Sequence, residues 1–376
     1  MIPYGHQSID DDDILAVTEV LRSDWLTQGP KVEEFENVLS AYCGTKYAVV
    51  FSSGTAALQA AYVALGLKSG DEFITTPLTF AATANAGLWQ GGVPVFADID
   101  PMTGNIDPAK IEAQITSKTK IIVPVDFAGV PADLSVIQAL ATRHHLLVLE
   151  DACHALGATL EGKKIGSFSD CTVFSFHPVK VITTGEGGAV TTNNETYYRR
   201  LKVFRTHGIT KENLTRPSPG EWYQEMQELG SNYRLTDFQC ALGISQMKKV
   251  GRFLALRRQI AERYTKAFLN SRVVQVPVEP RGTESGWHLY PIRLKNEWAK
   301  RRDEVFQALR AQGIGVQVHY LPVYEHPYYQ KLGYKKGLCL NAESFSASEI
   351  SLPIFPDFSL SDQTRVIETV QGIVGI

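Results

Sequence analysis

Short apolar runs alternate, along the first half of the chain, with stretches in which apolar residues recur every three to four positions. The runs over 47–51, 72–75, 93–97, 121–125, 146–149, 171–176 and 189–192 read as strands, most of them buried on both faces. Helical periodicity fills most of the intervals, including 55–65, 83–90, 108–116 and 134–144. Near the start, Asp10, Asp11, Asp12 and Asp13 stand before Ile14, Leu15, Val17, Val20 and Leu21, which predicts a helix whose N-terminus favours negative charge. Past residue 205 the pattern gives way to ITKENLTRPSPGEWYQEM, a polar stretch with Pro and Gly that reads as a long loop, of a length usual for functional or mobile segments. Helical segments over 236–268 follow, then a strand over 287–294, a helix over 303–312 and a strand over 316–320. The expected architecture is α/β: a large domain, 1–250, with a mostly parallel sheet flanked by helices, and a small C-terminal α+β domain, 251–376. In such a sheet ligands sit at the carboxyl ends of the strands.

Composition narrows the function classes. With 376 residues, 44% of them apolar, the chain can bury a substantial core, and the net charge of −3 lacks the basic excess of a nucleic-acid binder. Cys43, Cys153, Cys171, Cys240 and Cys339 are scattered without a CxxC pair, so they read as reduced thiols of a cytoplasmic protein with no zinc site. The N-terminus has no basic region followed by an apolar stretch, and no segment holds about 18 uninterrupted apolar residues, which argues against secretion and membrane spanning. His144 and His145 are adjacent and point apart on a helix, so they do not suggest a metal centre.

The informative pairing is LLVLEDACHALGA with TVFSFHPVKVITTGEGGAV. The first puts Asp151 at the mouth of a buried strand; the second presents Lys180 in a loop after another strand. A lysine whose ammonium is desolvated attacks carbonyl compounds, and an acid held opposite a pyridine ring keeps the ring nitrogen protonated as an electron sink. Those are the needs of pyridoxal phosphate (PLP). A phosphate cradle is offered by SSGTAAL, where a turn opens a helix with free N–H groups and Gly54 permits close approach. Phe80, in PLTFAATANA, is placed to stack on the ring, and Ser175 to reach the phosphate. Simpler readings stand beside these: Asp151 can cap a following helix, and Phe80 can be a core residue. GEGG lacks the spacing of a dinucleotide fingerprint.

The segments IPYG, DWLTQGPKVEEFE, FSSGTAAL, TTPLTFAATANA, EDACHALGA, SFHPVKVITTGEGGAV, RTHGITK, NYRLTDFQCALG and QVHYLPVYEHPYY occur in an order that resembles the sugar aminotransferases of the DegT/DnrJ/EryC1/StrS family over essentially the whole chain. The resemblance implies the fold type I architecture of PLP-dependent enzymes. It implies that Lys180 holds the cofactor and later moves a proton, that Asp151 pairs with the ring nitrogen, and that His154, where many relatives carry Gln, lies near the cofactor's O3′. Gly54, Thr55 and Ser175 would hold the phosphate. Asn232 would reach the phosphate of a neighbouring subunit, so that a homodimer shares its sites. Tyr4, Trp25, Leu26, Thr27, Gln317, His319 and Tyr320 would border the sugar nucleotide. Within the family, VDFAG, RTHGITK and QVHYLPVY are most similar to the pseudaminic acid branch. They imply transfer of nitrogen from L-glutamate to the C4 ketone of a UDP-linked 6-deoxy-HexNAc-4-ulose. Another ketosugar, UDP- or dTDP-linked, and a PLP-binding regulator without turnover are the rival readings.

Overall fold

The computed structural model describes residues 1–375. Its centre is a seven-stranded sheet built from β1 (Tyr47–Phe51), β2 (Glu72–Thr75), β3 (Val93–Phe96), β4 (Thr119–Val123), β5 (Leu147–Asp151), β6 (Cys171–Ser175) and β7 (Gly188–Thr192), in the order β1-β7-β6-β5-β4-β2-β3. Six strands share one direction; β7 alone runs against both neighbours. The strands are near-continuous apolar runs because both faces are covered. Val49, Phe51, Val123, Leu149, Val173 and Val190 enter one buried cluster, while Ala48, Val50, Ile122, Val148, Phe174 and Ala189 enter the other. That is the two-residue alternation of a strand packed on both sides.

Helices fill the two layers. On one side lie α1 (Asp11–Leu21), α2 (Pro30–Cys43) and, further along the chain, a helix over Asp237–Met247 that packs on both. On the other, α3 (Gly54–Ala64) packs on α4 (Ala82–Leu88). Asp10 caps α1 in a reciprocal arrangement with Asp13, as the acid-rich start predicts, and Ser53 caps α3 by accepting from the Ala56 N–H. A third buried cluster joins Ile2 to residues of 260–374, around α5 (Val250–Phe268), β8 (Tyr290–Leu294), α6 (Arg302–Ala311), β9 (Glu349–Leu352) and α7 (Leu360–Val374). β8 and β9 pair antiparallel, with Val274–Gln275 on the outer side of β8.

Several sequence expectations are corrected. The stretch 316–320 is not a strand: Gln317 alone bridges Ser351, while the Val318 N–H donates to the Gln317 side chain and the His319 N–H to the Glu349 carboxylate. Side chains have taken the acceptor role a neighbouring strand would fill. The strand expected over 287–294 starts at Tyr290, because Trp287 sits at φ +44°, outside the extended region. The helix over 108–116 is one turn, Pro108–Ile111, continued by a 3-10 turn. The long loop after residue 205 carries a short hairpin pairing Ile209–Thr210 with Glu225–Met226.

Candidate active site

The carboxyl ends of the parallel strands meet along one edge of the sheet, and register places the predicted residues there. Phe51, Gly188 and Ser175 are neighbours across β1, β7 and β6. The close approach depends on glycine at two positions. A Cβ on Gly188 would meet the Ser53 carbonyl oxygen at 2.6 Å, and one on Gly54 would meet the Ser175 Cβ at 2.9 Å and Oγ at 3.1 Å. The first turn of α3, with its unpaired N–H groups at Gly54 and Thr55, is therefore brought against the Ser175 hydroxyl.

A cleft of about 720 Å³ opens at this edge. Tyr4, Gly54, Thr55, Phe80, Asp151, His154, Ser175, Lys180, Gln317, His319 and Tyr320 all line it. Asp151 is the last residue of β5 and is 4% exposed. Its Oδ2 accepts from the Thr83 hydroxyl at 2.7 Å and its Oδ1 from the Cys153 N–H at 3.2 Å. No helix follows it, so helix capping is not its role. Phe80 is 61% exposed at the cleft, 6.2 Å from the Tyr320 ring, and is not a core residue.

Lys180 extends from the loop between β6 and β7. Its Nζ lies 3.4 Å from His288 Nε2. Burial lowers the Lys180 ammonium from the ordinary lysine range, with Asp151 among the groups opposing that shift. Burial also pushes His154 and His288 well below the usual histidine value, and Lys180 adds to both, so the two rings are neutral at neutral pH. The rings stand 4.4 Å apart, and His154 Nε2 lies 3.1 Å from the Tyr320 hydroxyl. Among the described residues Nδ1 of each is buried without a partner. The fully buried Arg257, on α5, ties the lysine loop to the rest: it donates to the carbonyls of Ile354 at 3.0 Å, Trp287 at 3.2 Å and Lys180 at 3.5 Å.

Trp25, Leu26, Thr27 and Asn232 do not line this cleft. Thr27 bridges Thr236, the Leu26 carbonyl accepts from the Asp237 N–H at 3.0 Å, and Asn232 bridges Thr206. Trp25 and Leu26 are half exposed. His288, Thr83 and Arg257 were missed from the sequence. Thr83 carried a signal, since it lies in the same TFAATANA stretch as Phe80. His288 and Arg257 carried none, because only the packing of distant elements brings them to Lys180. Among the described residues no group of His, Cys, Asp and Glu is placed to hold a metal ion, all five cysteines are free, and no helix is long and apolar enough to cross a membrane.

A lysine amine, a buried carboxylate at a strand end and the start of a helix thus face one cavity. Comparison with known proteins agrees. The model of the DegT/DnrJ/EryC1/StrS aminotransferase family matches residues 7–371. A UDP-4-amino-4,6-dideoxy-N-acetyl-beta-L-altrosamine transaminase of Campylobacter jejuni is 44% identical, covering 100% of this chain and 98% of that protein. Helicobacter pylori PseC, an aminotransferase of pseudaminic acid biosynthesis, superimposes with a TM-score of 0.94 at 38% identity, over 99% of this chain and 98% of that one. The PLP-form of the Streptococcus pneumoniae protein Spr1654 gives 0.94 at 31% identity, over 100% of this chain and 98% of that one. The sheet flanked by helices is the fold type I arrangement of PLP-dependent aminotransferases. From its cleft, its fold and the match over residues 7–371, the chain belongs to the DegT/DnrJ/EryC1/StrS aminotransferase family.

Proposed function

We propose that this chain is a PLP-dependent aminotransferase that moves the amino group of L-glutamate to the C4 ketone of UDP-2-acetamido-2,6-dideoxy-β-L-arabino-hexos-4-ulose in pseudaminic acid biosynthesis, as a cytoplasmic homodimer. The observation that carries it is the convergence of Lys180, Asp151 and the α3 N-terminus on one cleft. The likeness to the Campylobacter and Helicobacter proteins supports the substrate. The residues fit PLP: the Gly54–Ser175 approach leaves backbone N–H groups free for its phosphate, and the unpartnered His154 Nδ1 is a polar atom on the same wall. When bound, PLP supplies a carbonyl that takes up nitrogen and a protonated ring that stores the electron pair leaving the α-carbon.

The chain's own residues do the rest. Lys180 Nζ would hold the cofactor and, once free of it, would move the proton of the substrate α-carbon. Its lowered proton affinity suits both tasks, because a neutral amine attacks and accepts a proton where an ammonium does neither. Asp151 would accept from the protonated ring nitrogen, and Thr83, donating to its Oδ2, orients the carboxylate. Gly54, Thr55 and Ser175 would hold the phosphate, Phe80 would cover the ring, and His154, hydrogen-bonded to Tyr320, would serve the ring oxygen. Tyr4, Gln317, His319 and Tyr320 border the sugar nucleotide. Trp25, Leu26, Thr27 and Asn232, away from this chain's cleft, serve the cleft of a second copy.

The test is the visible spectrum of the protein with added PLP, recorded before and after L-glutamate in the absence of sugar. Bound cofactor that is yellow and bleaches with glutamate is expected. Protein that stays colourless overturns the reading of Lys180 and Asp151, and yellow protein that glutamate leaves unchanged overturns the donor. Lys180→Ala is expected to form no product. UDP- and dTDP-linked ketosugars assayed side by side test the acceptor.

A further inference from the structure

His319 reaches the cleft with one nitrogen and a buried hydrogen-bonded chain with the other. Its Nδ1 lies 2.9 Å from the Ser351 hydroxyl, and that hydroxyl lies 2.5 Å from Glu349 Oε1. The second carboxylate oxygen accepts the His319 backbone N–H at 2.7 Å, which locks the carboxylate to the segment that carries the ring. All three residues are buried, Glu349 completely. Among the described residues Nε2 has no protein partner, and His319 lines the cleft. Neither Ser351 nor Glu349 touches the cleft.

The two ends of the chain are linked through one hydroxyl. Ser351 has a single hydroxyl proton, so it donates toward Glu349 or toward His319 and accepts from the other. The chain therefore has two directions. In one, Glu349 is ionised, Ser351 donates to it, Nδ1–H donates to Ser351, and Nε2 faces the cleft bare. In the other, Oε1–H donates to Ser351, Ser351 donates to Nδ1, and Nε2 bears the proton.

We infer that His319, Ser351 and Glu349 form a proton relay, in which a substrate proton taken up at His319 Nε2 is stored on Glu349 without charging the imidazole. The inference rests on the aminotransferase reading of the cleft. The step balances: Nε2–H forms as the substrate's bond to that proton breaks, Nδ1–H breaks as a new Ser351 O–H forms, and the old Ser351 O–H breaks as Glu349 Oε1–H forms. The reverse sequence returns the proton. His319 acts on the reacting molecules; Ser351 and Glu349 act through it, as positioning residues.

The electrostatics support this division of labour. Burial, helped by Lys180, pushes His319 down to about 3, so the ring alone is too weak a base to keep a proton at neutral pH. Burial pushes Glu349 up to about 8, against the Ser351 and His319 hydrogen bonds and the Arg302 guanidinium that favour its ionised form. Glu349 is also matched across the small sheet to Arg293, whose guanidinium lies over the Phe345 ring, and it bears on the Tyr320 hydroxyl nearby. The proton is thus better held at the buried end of the chain than at the ring, and the relay titrates near Glu349's value.

The test is nitrogen NMR of the PLP-loaded protein with 15N-labelled histidine, the His319 signals being identified by their loss in His319→Asn. The ring proton is expected on Nε2 below about pH 8 and on Nδ1 above it. Glu349→Gln, whose amide donates permanently to Ser351, is expected to hold the proton on Nε2 at every pH and to remove the inflection near pH 8 from the kcat/KM profile. Ser351→Ala is expected to abolish the crossover and Ser351→Thr to restore it. A wild-type tautomer that does not change from about pH 6 to 10, or a crossover that survives in Glu349→Gln, overturns the relay. Should Glu349→Gln fail to fold, the Ser351 pair decides the matter. A crossover in protein that aminates no ketosugar leaves the relay standing and overturns the reading of the reaction.

Discussion

Thr83→Val isolates the hydrogen bond that orients Asp151. Valine matches threonine in shape but cannot donate, so the 2.7 Å bond from Thr83 Oγ1 to Asp151 Oδ2 is lost with little change in packing. What remains for the carboxylate is the longer 3.2 Å bond from the Cys153 N–H to the other oxygen. Asp151 is only 4% exposed, so water replaces the lost donor poorly. A hydrogen bond to a charged group is worth about 1.5–3 kcal/mol, and leaving a buried acceptor unmade carries a comparable penalty. The unfolding free energy of the cofactor-free protein is therefore expected to fall by about 2 kcal/mol, a factor of about 30 in the folding equilibrium. The Thr79 hydroxyl, 2.8 Å from Thr83 Oγ1, loses a partner too, which works in the same direction. Urea unfolding followed by tryptophan fluorescence gives the stability, and a titration with PLP gives the affinity. Thr83→Ser should recover most of both. Thr83→Val protein with the urea midpoint and PLP affinity of the wild type would refute the assignment.

Gly54→Ala forces a Cβ to 2.9 Å from the Ser175 Cβ, and overpacking of that kind costs about 1–3 kcal/mol; PLP affinity should fall at least as far as stability, measured by the same two titrations. Glu36→Ala removes the partner of the buried Arg205, a 2.6 Å pair with both side chains 10% exposed, and should destabilise by about 3–5 kcal/mol in urea unfolding. His288 is neutral in the folded protein well below its ordinary value, so the unfolded chain binds one more proton once pH falls below about 6.5. Its contribution to stability is present above that pH and is lost as pH falls. His288→Gln should flatten the acid limb of stability against pH by up to about 1.4 kcal/mol per pH unit, and an unchanged slope would show that the ring protonates freely.

Much of the fold is legible in the apolar pattern because the sheet is covered on both sides. A strand such as 47–51 has little choice of environment when every residue is apolar. Lys180, Asp151 and the SSGT turn could likewise be read locally, because each lies at a strand end, where a parallel sheet gathers its loops. The failures are local in outcome: in 316–320 the His319 N–H finds the distant Glu349 carboxylate and the Val318 N–H the neighbouring Gln317 amide, and a left-handed Trp287 delays a strand.

By itself, then, the sequence determined the strands of the central sheet and most of the helices, and which side chains bring an amine, an acid and a helix start to one edge, since these follow from period and strand-end position. Only the tertiary structure decided what surrounds them. It set the reversed β7 between β1 and β6, which presses Gly188 and Ser175 against the start of α3. It brought His288 to Lys180 and Glu349 behind His319. Those contacts join residues far apart in the chain, and the burial that shifts their proton affinities exists only once the layers have closed over them.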